Sequence, residues 1–249
     1  MIEGIRFFDC NSTIGQGRTP GTGCSVGALI AEMDHWEIDK ALVCHALPEG
    51  LPPSSGNQEL LRKVEHQERL VLCWVIGDRE NPETLLRDLR AYGIRAVRMF
   101  PFVFKHRSSL QVGPVGPLLD ALEEAEVPLI LDFDLSPWEE PQLDALYDVC
   151  EALPRLKVVL IRIGAWRNRG LFPLLNQFGN LYLEISGCPV GRELENLSRN
   201  GWAYRLLFGT GMPAYTPERP IEAVMRSDLL DEARRFIAGG NLERILKVY

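Results

Sequence analysis

The feature that most restricts this chain is an alternation: apolar runs of strand length are separated, again and again, by amphipathic segments of helix length. A short run that is apolar throughout suits a strand covered on both faces. Such strands lie in parallel sheets whose connections are helices. The runs are IRFFD (5–9), KALVCHA (40–46), RLVLCWVIG (69–77), IRAVRMFPF (94–102), VPLILDFD (127–134), LKVVLIRIG (156–164), NLYLEISG (180–187) and YRLLFGTGMP (204–213). Between them fall a helix near 26–36, NQELLRKVEHQ (57–67) and PETLLRDLRAYG (82–93), the last with Pro82 at its start and Gly93 at its end, as helix termini favour. A final helix, LDEARRFIAGGNLERILKVY (230–249), closes the chain.

Eight such units in 249 residues define an α/β chain and predict a TIM-type (β/α)8 barrel, with some distortion of ideal closure allowed, as one domain over 1–249. An open doubly wound sheet would carry a glycine-rich phosphate turn after its first strand. GQGRTPGTG (15–23) is glycine-rich but has neither the G-x-x-x-x-G-K-[ST] nor the G-x-G-x-x-G spacing, and it reads as a mobile loop between strand and helix.

Charge removes several function classes. With 27 Lys+Arg against 34 Asp+Glu, a net charge of −7 and no dense basic run, nucleic acid is not an expected partner. No apolar stretch approaches the roughly 20 residues of a membrane span, and acidic Glu3 stands where a secretory leader would be basic. Six cysteines without a C-x-x-C pair read as small hydrophobes in a reduced, cytoplasmic protein, so the glycosylation-like NST (11–13) and NLS (196–198) read as chance.

In a barrel of this kind the working face lies where the strands run out at their C-terminal ends. There the sequence places Asp9, Asn11 and Thr13 on the first strand, His45 on the second and Arg98 on the fourth. Asp132 and Asp134 end the fifth, Arg162 the sixth, Glu184 and Ser186 the seventh, and Thr210 the eighth. Charged groups inside apolar strands are costly unless paired or wetted by a cavity, so their gathering at one end points to a site. Strand parity, with Asp9, Asn11 and Thr13 inward, would turn Cys10 out towards the helix layer. His35, His66 and His106 read as surface groups, and Trp74 and Trp138 as either pocket wall or core.

FFDCNSTIG (7–15), YGIRAVRMFP (92–101), LKVVLIRIG (156–164), LLFGTGMP (206–213) and GGNLERILKV (239–248) together resemble the amidohydrolase-related family, metal-dependent hydrolases and decarboxylases on a TIM barrel. The resemblance implies a divalent ion held by two His of a D-x-H-x-H first strand, a His ending the fifth, often a His of the sixth, and an Asp of the eighth that also serves as general base. At the matching positions stand Asn11, Thr13, Asp132, Arg162 and Gly211. Amide and hydroxyl oxygens with one carboxylate bind zinc-like ions weakly, a guanidinium cannot ligate one, and glycine takes no proton.

Neither a metal ion nor another cofactor is therefore expected. An Asp132–Arg162 ion pair is expected to occupy the metal volume. The chain is expected to bind a small anionic, carboxylate-type ligand at the mouth, with His45, Asp132 and Arg162 as candidate catalytic groups. Asn11, Thr13, Arg98, Asp134, Glu184 and Thr210 are the candidate ligand contacts. One alternative is a metal-independent hydrolase, lactonase or hydratase using His45 or a mouth carboxylate, such as an Asp134–Glu184 pair, with Arg162. The other is a non-catalytic structural or partner subunit. A homodimer is implied by the resemblance alone.

Overall fold

A computed structural model describes residues 4–15, 23–46, 52–101, 110–133, 140–163, 171–187 and 192–248. Its eight strands are β1 (Phe7–Ile14), β2 (Ile38–His45), β3 (Leu70–Val75), β4 (Ala96–Met99), β5 (Leu129–Asp132), β6 (Val158–Ile161), β7 (Leu181–Glu184) and β8 (Leu206–Leu207). They pair in parallel in chain order. Helices α1 (Val26–His35), α2 (Pro53–Lys63), α3 (Pro82–Ala91), α4 (Val112–Glu124), α5 (Glu140–Ala152), α6 (Leu171–Gln177) and α7 (Arg192–Leu197) follow β1 to β7 in turn. After β8 come α8 (Glu218–Arg226), α9 (Asp231–Arg235) and α10 (Asn241–Leu246). The expected TIM barrel is the observed fold.

Local chemistry sets the helix boundaries. The Ser25 and Asn81 side chains accept from Ala28 N and Thr84 N, capping α1 and α3, and Pro82 opens α3 as its place in the sequence suggested. Gly93, at φ +65°, reverses the chain after α3 so that Ile94 N returns to Leu89 O.

β1 and β8 depart most from their apolar runs. β1 continues to Ile14, past the Asp9 at which the run stops, because its polar half still pairs with β2: Ser12 with Val43, Thr13 with Cys44, Ile14 with His45. β8 is short, and irregular backbone completes its seam to β1: Cys10 N donates to Phe208 O, Gly211 N to Asn11 O and Thr13 N to Met212 O, at 2.9–3.0 Å. The sheet thus comes round almost to a closed barrel.

Its interior holds Phe8, Cys10, Leu42, Cys44, Cys73, Val75, Ala96, Ile130, Val159, Ile161, Tyr182 and Leu207, with Leu242, Ile245 and Leu246 of α10 packed against them. A larger apolar layer fills the space between strands and helices. Cys10 therefore points into the barrel, not out to the helices. The register of β1 against β2 shifts between Phe7 and Phe8 and again between Asp9 and Ser12. Phe8 and Cys10 share the interior face while Phe7 packs outward, so the two-residue alternation holds up to Cys10 with the opposite phase to the one expected.

No described helix is long and apolar enough to cross a membrane. His35 and His66 are exposed, as expected, whereas His106, Trp138 and most of the 15–23 glycine-rich stretch lie outside the described residues. Trp74 packs in the outer layer with its ring 5.7 Å from that of Tyr92, so it belongs to the core, not to the mouth.

Candidate functional site

Inward-facing positions near the ends of β4 and β5 carry charge where their predecessors, Ala96 and Ile130, carry none. Asp132 is wholly buried and accepts on both oxygens: Arg162 Nε donates to Oδ1 at 2.7 Å, and Arg98 Nε donates to Oδ2 at 2.8 Å with Arg98 Nη2 on the same oxygen. Burial alone would raise the Asp132 pKa, but Arg98 and Arg162 together hold it below the ordinary carboxylate value. For Arg98 burial disfavours the cation, and Asp132 more than reverses this, pushing its pKa up. Arg98 Nη1 also lies 3.3 Å from Cys44 Sγ.

The expected Asp132–Arg162 contact is thus present, and Arg98 is a third member. Arg162 is the more open of the two arginines, its side chain 17% exposed against 4% for Arg98.

Glu184 ends β7 beside this cluster. Its carboxylate accepts from Arg162 N at 3.1 Å, from Ser186 N at 2.5 Å and from Ser186 Oγ at 2.8 Å. Burial pushes its pKa up to about 7 against those hydrogen bonds. Gly209 makes room for it, since a Cβ there would lie 2.5 Å from Glu184 Cγ. Arg162 itself adopts φ +54°, a left-handed conformation uncommon outside glycine and of the kind found at functional sites.

The β1/β8 side is built around Asp9. This fully buried carboxylate accepts from Asn11 N (2.8 Å), Ser12 Oγ (2.5 Å), Thr210 N (2.9 Å) and Thr210 Oγ1 (2.5 Å). Burial raises its pKa even so. Thr210 Oγ1 also accepts from Met212 N, and Thr13 Oγ1 donates to Met212 O. The hydroxyls of Thr13 and Thr210, expected to meet a ligand, are therefore engaged in holding the seam of the barrel. Asn11 differs, because its Nδ2 is buried without a hydrogen-bond partner.

His45 and Asp134 were the two other strand-end candidates. His45 is not brought to the Asp132 cluster: Cys44 takes the inward direction, and the His45 ring lies over Gly15, where a Cβ would meet Cε1 and Nε2 at 2.5 Å. Burial, and then the charge of Lys63 on α2, lower its pKa. Asp134 lies outside the described residues, and so does the Asp134–Glu184 pair.

Position 211 was more constrained than the sequence disclosed. Gly211 has φ +75°, and a Cβ on it would stand 2.8 Å from Tyr215 Cδ2. The Tyr215 ring fills the volume that an acidic side chain would need. A tyrosine four residues downstream carried no signal of this role, which depends on how the turn after β8 folds back.

The fold family implies a divalent ion, and these residues do not fit one. Asp132 has both oxygens committed to guanidiniums, Arg162 is a cation, the Thr13 hydroxyl is engaged, and the side-chain volume at Gly211 is taken. Among the described residues no group of three or more His, Cys, Asp or Glu side chains is arranged to hold a metal. A cavity of about 590 Å³ opens at the opposite, N-terminal end, beside Phe7, Phe8, Lys40 and Gly239, away from every strand-end residue discussed above.

A barrel of eight parallel strands with charged groups at the C-terminal strand ends has the architecture of a TIM barrel, whose sites lie at that face. Residues 57–248 match the amidohydrolase family model, and the chain belongs to that family. The match begins after β1 and β2, so positions 11 and 13 lie outside it. No curated protein matches the chain in sequence. Among solved structures it is similar to a 2,6-dihydroxybenzoate decarboxylase complexed with 2,6-dihydroxybenzoate (TM-score 0.73, 15% identity, covering 98% of this chain and 99% of that one). A probable 2-pyrone-4,6-dicarboxylic acid hydrolase from Acinetobacter baumannii with citric acid bound is also similar (0.72, 16%, 98% and 100%). So is a dihydroxybenzoic acid decarboxylase from Polaromonas sp. JS666 with bound manganese and 2-nitroresorcinol (0.73, 14%, 98% and 97%). At these identities the likeness is one of fold.

Proposed function

We propose that this amidohydrolase-family barrel binds a small carboxylate at its C-terminal mouth without a divalent ion, Arg162 making the principal contact. The observation that carries this reading is the Arg98–Asp132–Arg162 cluster at the C-terminal strand ends, in which a guanidinium, that of Arg162, is the part that reaches the surface. A guanidinium matches a carboxylate in geometry and stays charged at every physiological pH. Relatives of similar fold are described with dihydroxybenzoate or citric acid bound, the same chemical class.

The test is thermal shift and calorimetric titration against a panel of aromatic and aliphatic carboxylates and lactones, with elemental analysis for metal. A carboxylate at a hundred times its Kd should add about 2.7 kcal/mol of stability, and Arg162→Ala should remove that effect. Absence of binding by every carboxylate, or one tightly held zinc or manganese per chain, would overturn the proposal.

A second reading, metal-independent proton-transfer chemistry, is favoured by one observation: Glu184 is buried beside the arginine cluster with a pKa near 7, where a carboxyl exchanges protons at neutral pH. The general acid or base in that case is Glu184, not His45. The buried free thiols of Cys10, Cys24, Cys44, Cys73 and Cys150 accord with the cytoplasmic location we propose.

A further inference from the structure

At the N-terminal end of the barrel, the cavity of about 590 Å³ lies between the starts of β1 and β2 and the closing segment of the chain, a size usual for small-molecule sites. Two backbone irregularities frame it. β1 pairs Phe7 with Ile38 and Phe8 with Lys40, so Asp39 is an extra residue on β2, and its carboxylate accepts from Phe7 N at 2.8 Å. Opposite, Phe236–Gly240 forms a π-helical turn seated on β1, where a Cβ on Gly239 would stand 2.9 Å from Arg6 O and 3.2 Å from Phe8 Cβ. Bulges and π-turns are both over-represented beside functional sites. The cavity is lined by Arg6, Lys40 and Arg235 and by Glu68, Glu232 and Glu243, and none of these six side chains makes an ion pair with another described residue. Four of them are exposed, whereas Lys40 and Glu243 are half-buried and so lie deepest. Lys40 Nζ is 5.9 Å from the centre of the Phe8 ring, and the half-buried Phe236 ring, held against Tyr204 at 4.8 Å, supplies an apolar wall. Opposite charges that share one cavity without meeting leave room for a ligand that meets both.

We propose that this cavity is a second ligand site, for a zwitterionic amino acid with an apolar side chain. Lys40 Nζ donates to the ligand's carboxylate, the Glu243 carboxylate accepts from its ammonium, and the Phe236 ring packs against its side chain. The site is separate from the mouth and does not depend on the anion reading above. A purely anionic ligand would set its charge among Glu68, Glu232 and Glu243, and a purely cationic one among Arg6, Lys40 and Arg235, whereas a zwitterion offsets both sets at once. Partly exposed ion pairs are individually weak, so affinity requires the two contacts together.

Calorimetric titration compares L-phenylalanine with 3-phenylpropanoate, which lacks the ammonium, and 2-phenylethylamine, which lacks the carboxylate. The full-length wild type and Arg162→Ala are both titrated, the second because it removes the proposed carboxylate contact at the mouth. In Arg162→Ala, L-phenylalanine should bind about fivefold more tightly than either half-ligand, the upper range for a partly exposed ion pair. In both backgrounds Lys40→Met should weaken L-phenylalanine about fivefold and leave 2-phenylethylamine within about twofold, Glu243→Gln should weaken both about fivefold, and Phe236→Leu should weaken all three ligands. The wild-type series keeps the test available should Arg162→Ala fail to fold. No binding of L-phenylalanine to the wild type overturns the site, and so does an affinity unchanged by either Lys40→Met or Glu243→Gln. Half-ligands that bind Arg162→Ala as tightly as L-phenylalanine overturn it too. Loss of L-phenylalanine binding in a folded Arg162→Ala would put the amino acid at the mouth and overturns it as well. Each of these failures leaves carboxylate binding at the mouth to its own test.

Discussion

Arg162 Nε donates to Asp132 Oδ1 at 2.7 Å from the end of the neighbouring strand, which sets a guanidinium–carboxylate pair at the barrel mouth where the fold family implies a metal. The pair is buried on the Asp132 side and partly open on the Arg162 side. It orients the guanidinium through one of its nitrogens.

Asp132→Asn should be among the most destabilising substitutions in the chain. It would leave Arg98, 4% exposed, with its charge uncompensated, and removal of one partner from a buried pair costs about 3–5 kcal/mol. Chemical denaturation at neutral pH measures this. The double change Arg98→Met with Asp132→Leu should cost less than Asp132→Asn alone, and a loss below about 1 kcal/mol for the single variant would refute a tightly coupled pair.

Returning a side chain to position 211 should not restore a metal site. Gly211→Ala and Gly211→Asp must adopt φ +75° and displace the Tyr215 ring, a combination expected to cost about 1–3 kcal/mol. Zinc titration of Gly211→Asp by calorimetry should show no stoichiometric binding. Tight binding of one ion would mean that the remaining donors fit a metal after all.

Stability should depend on pH through Glu184. Its carboxyl has a folded pKa of about 7 against an ordinary value of 4.5, so between these pH values the folded state holds a proton that the unfolded state releases. The contribution is fully present below pH 4.5 and is lost as pH rises towards 7, with a slope of at most about 1.4 kcal/mol per pH unit. Asp9, also raised, acts with the same sign, whereas Asp132, lowered, acts only in more acidic solution. Unfolding curves from pH 4 to 8 should show the decline, and Glu184→Gln should flatten most of it. An equal slope in wild type and Glu184→Gln would count against the buried proton.

Thr210→Val separates a seam residue from a ligand contact. Losing the Oγ1 bonds to Asp9 and Met212 should cost about 1–3 kcal/mol in denaturation, because a buried carboxylate loses a donor. Carboxylate affinity, measured on the folded variant, should stay within twofold. A tenfold loss of affinity with unchanged stability would instead make Thr210 a ligand contact.

Much of this site could be read in the chain. Asp132, Arg162, Arg98 and Glu184 stood out because charge at the end of an apolar strand is conspicuous, and all four converge. His45 had the same signal and does not join them, since its neighbour Cys44 takes the inward direction and the imidazole sits over Gly15. Thr13 and Thr210 were visible as polar strand-end residues, but nothing in one sequence separates a hydroxyl that meets a ligand from one that bonds across a seam.

By itself the sequence determined the alternation of strand and helix, the barrel that follows from eight repeats of it, and which strand ends carry charge. All of these depend on neighbours a few residues apart. The tertiary structure alone decided that the inner face of β1 is the one carrying Phe8 and Cys10, that Asp9 holds β1 to β8, that Arg98 shares Asp132 with Arg162, and that Tyr215 occupies the space beside Gly211. Each of those outcomes depends on where distant segments meet when the barrel closes, and local pattern carries no information about that register.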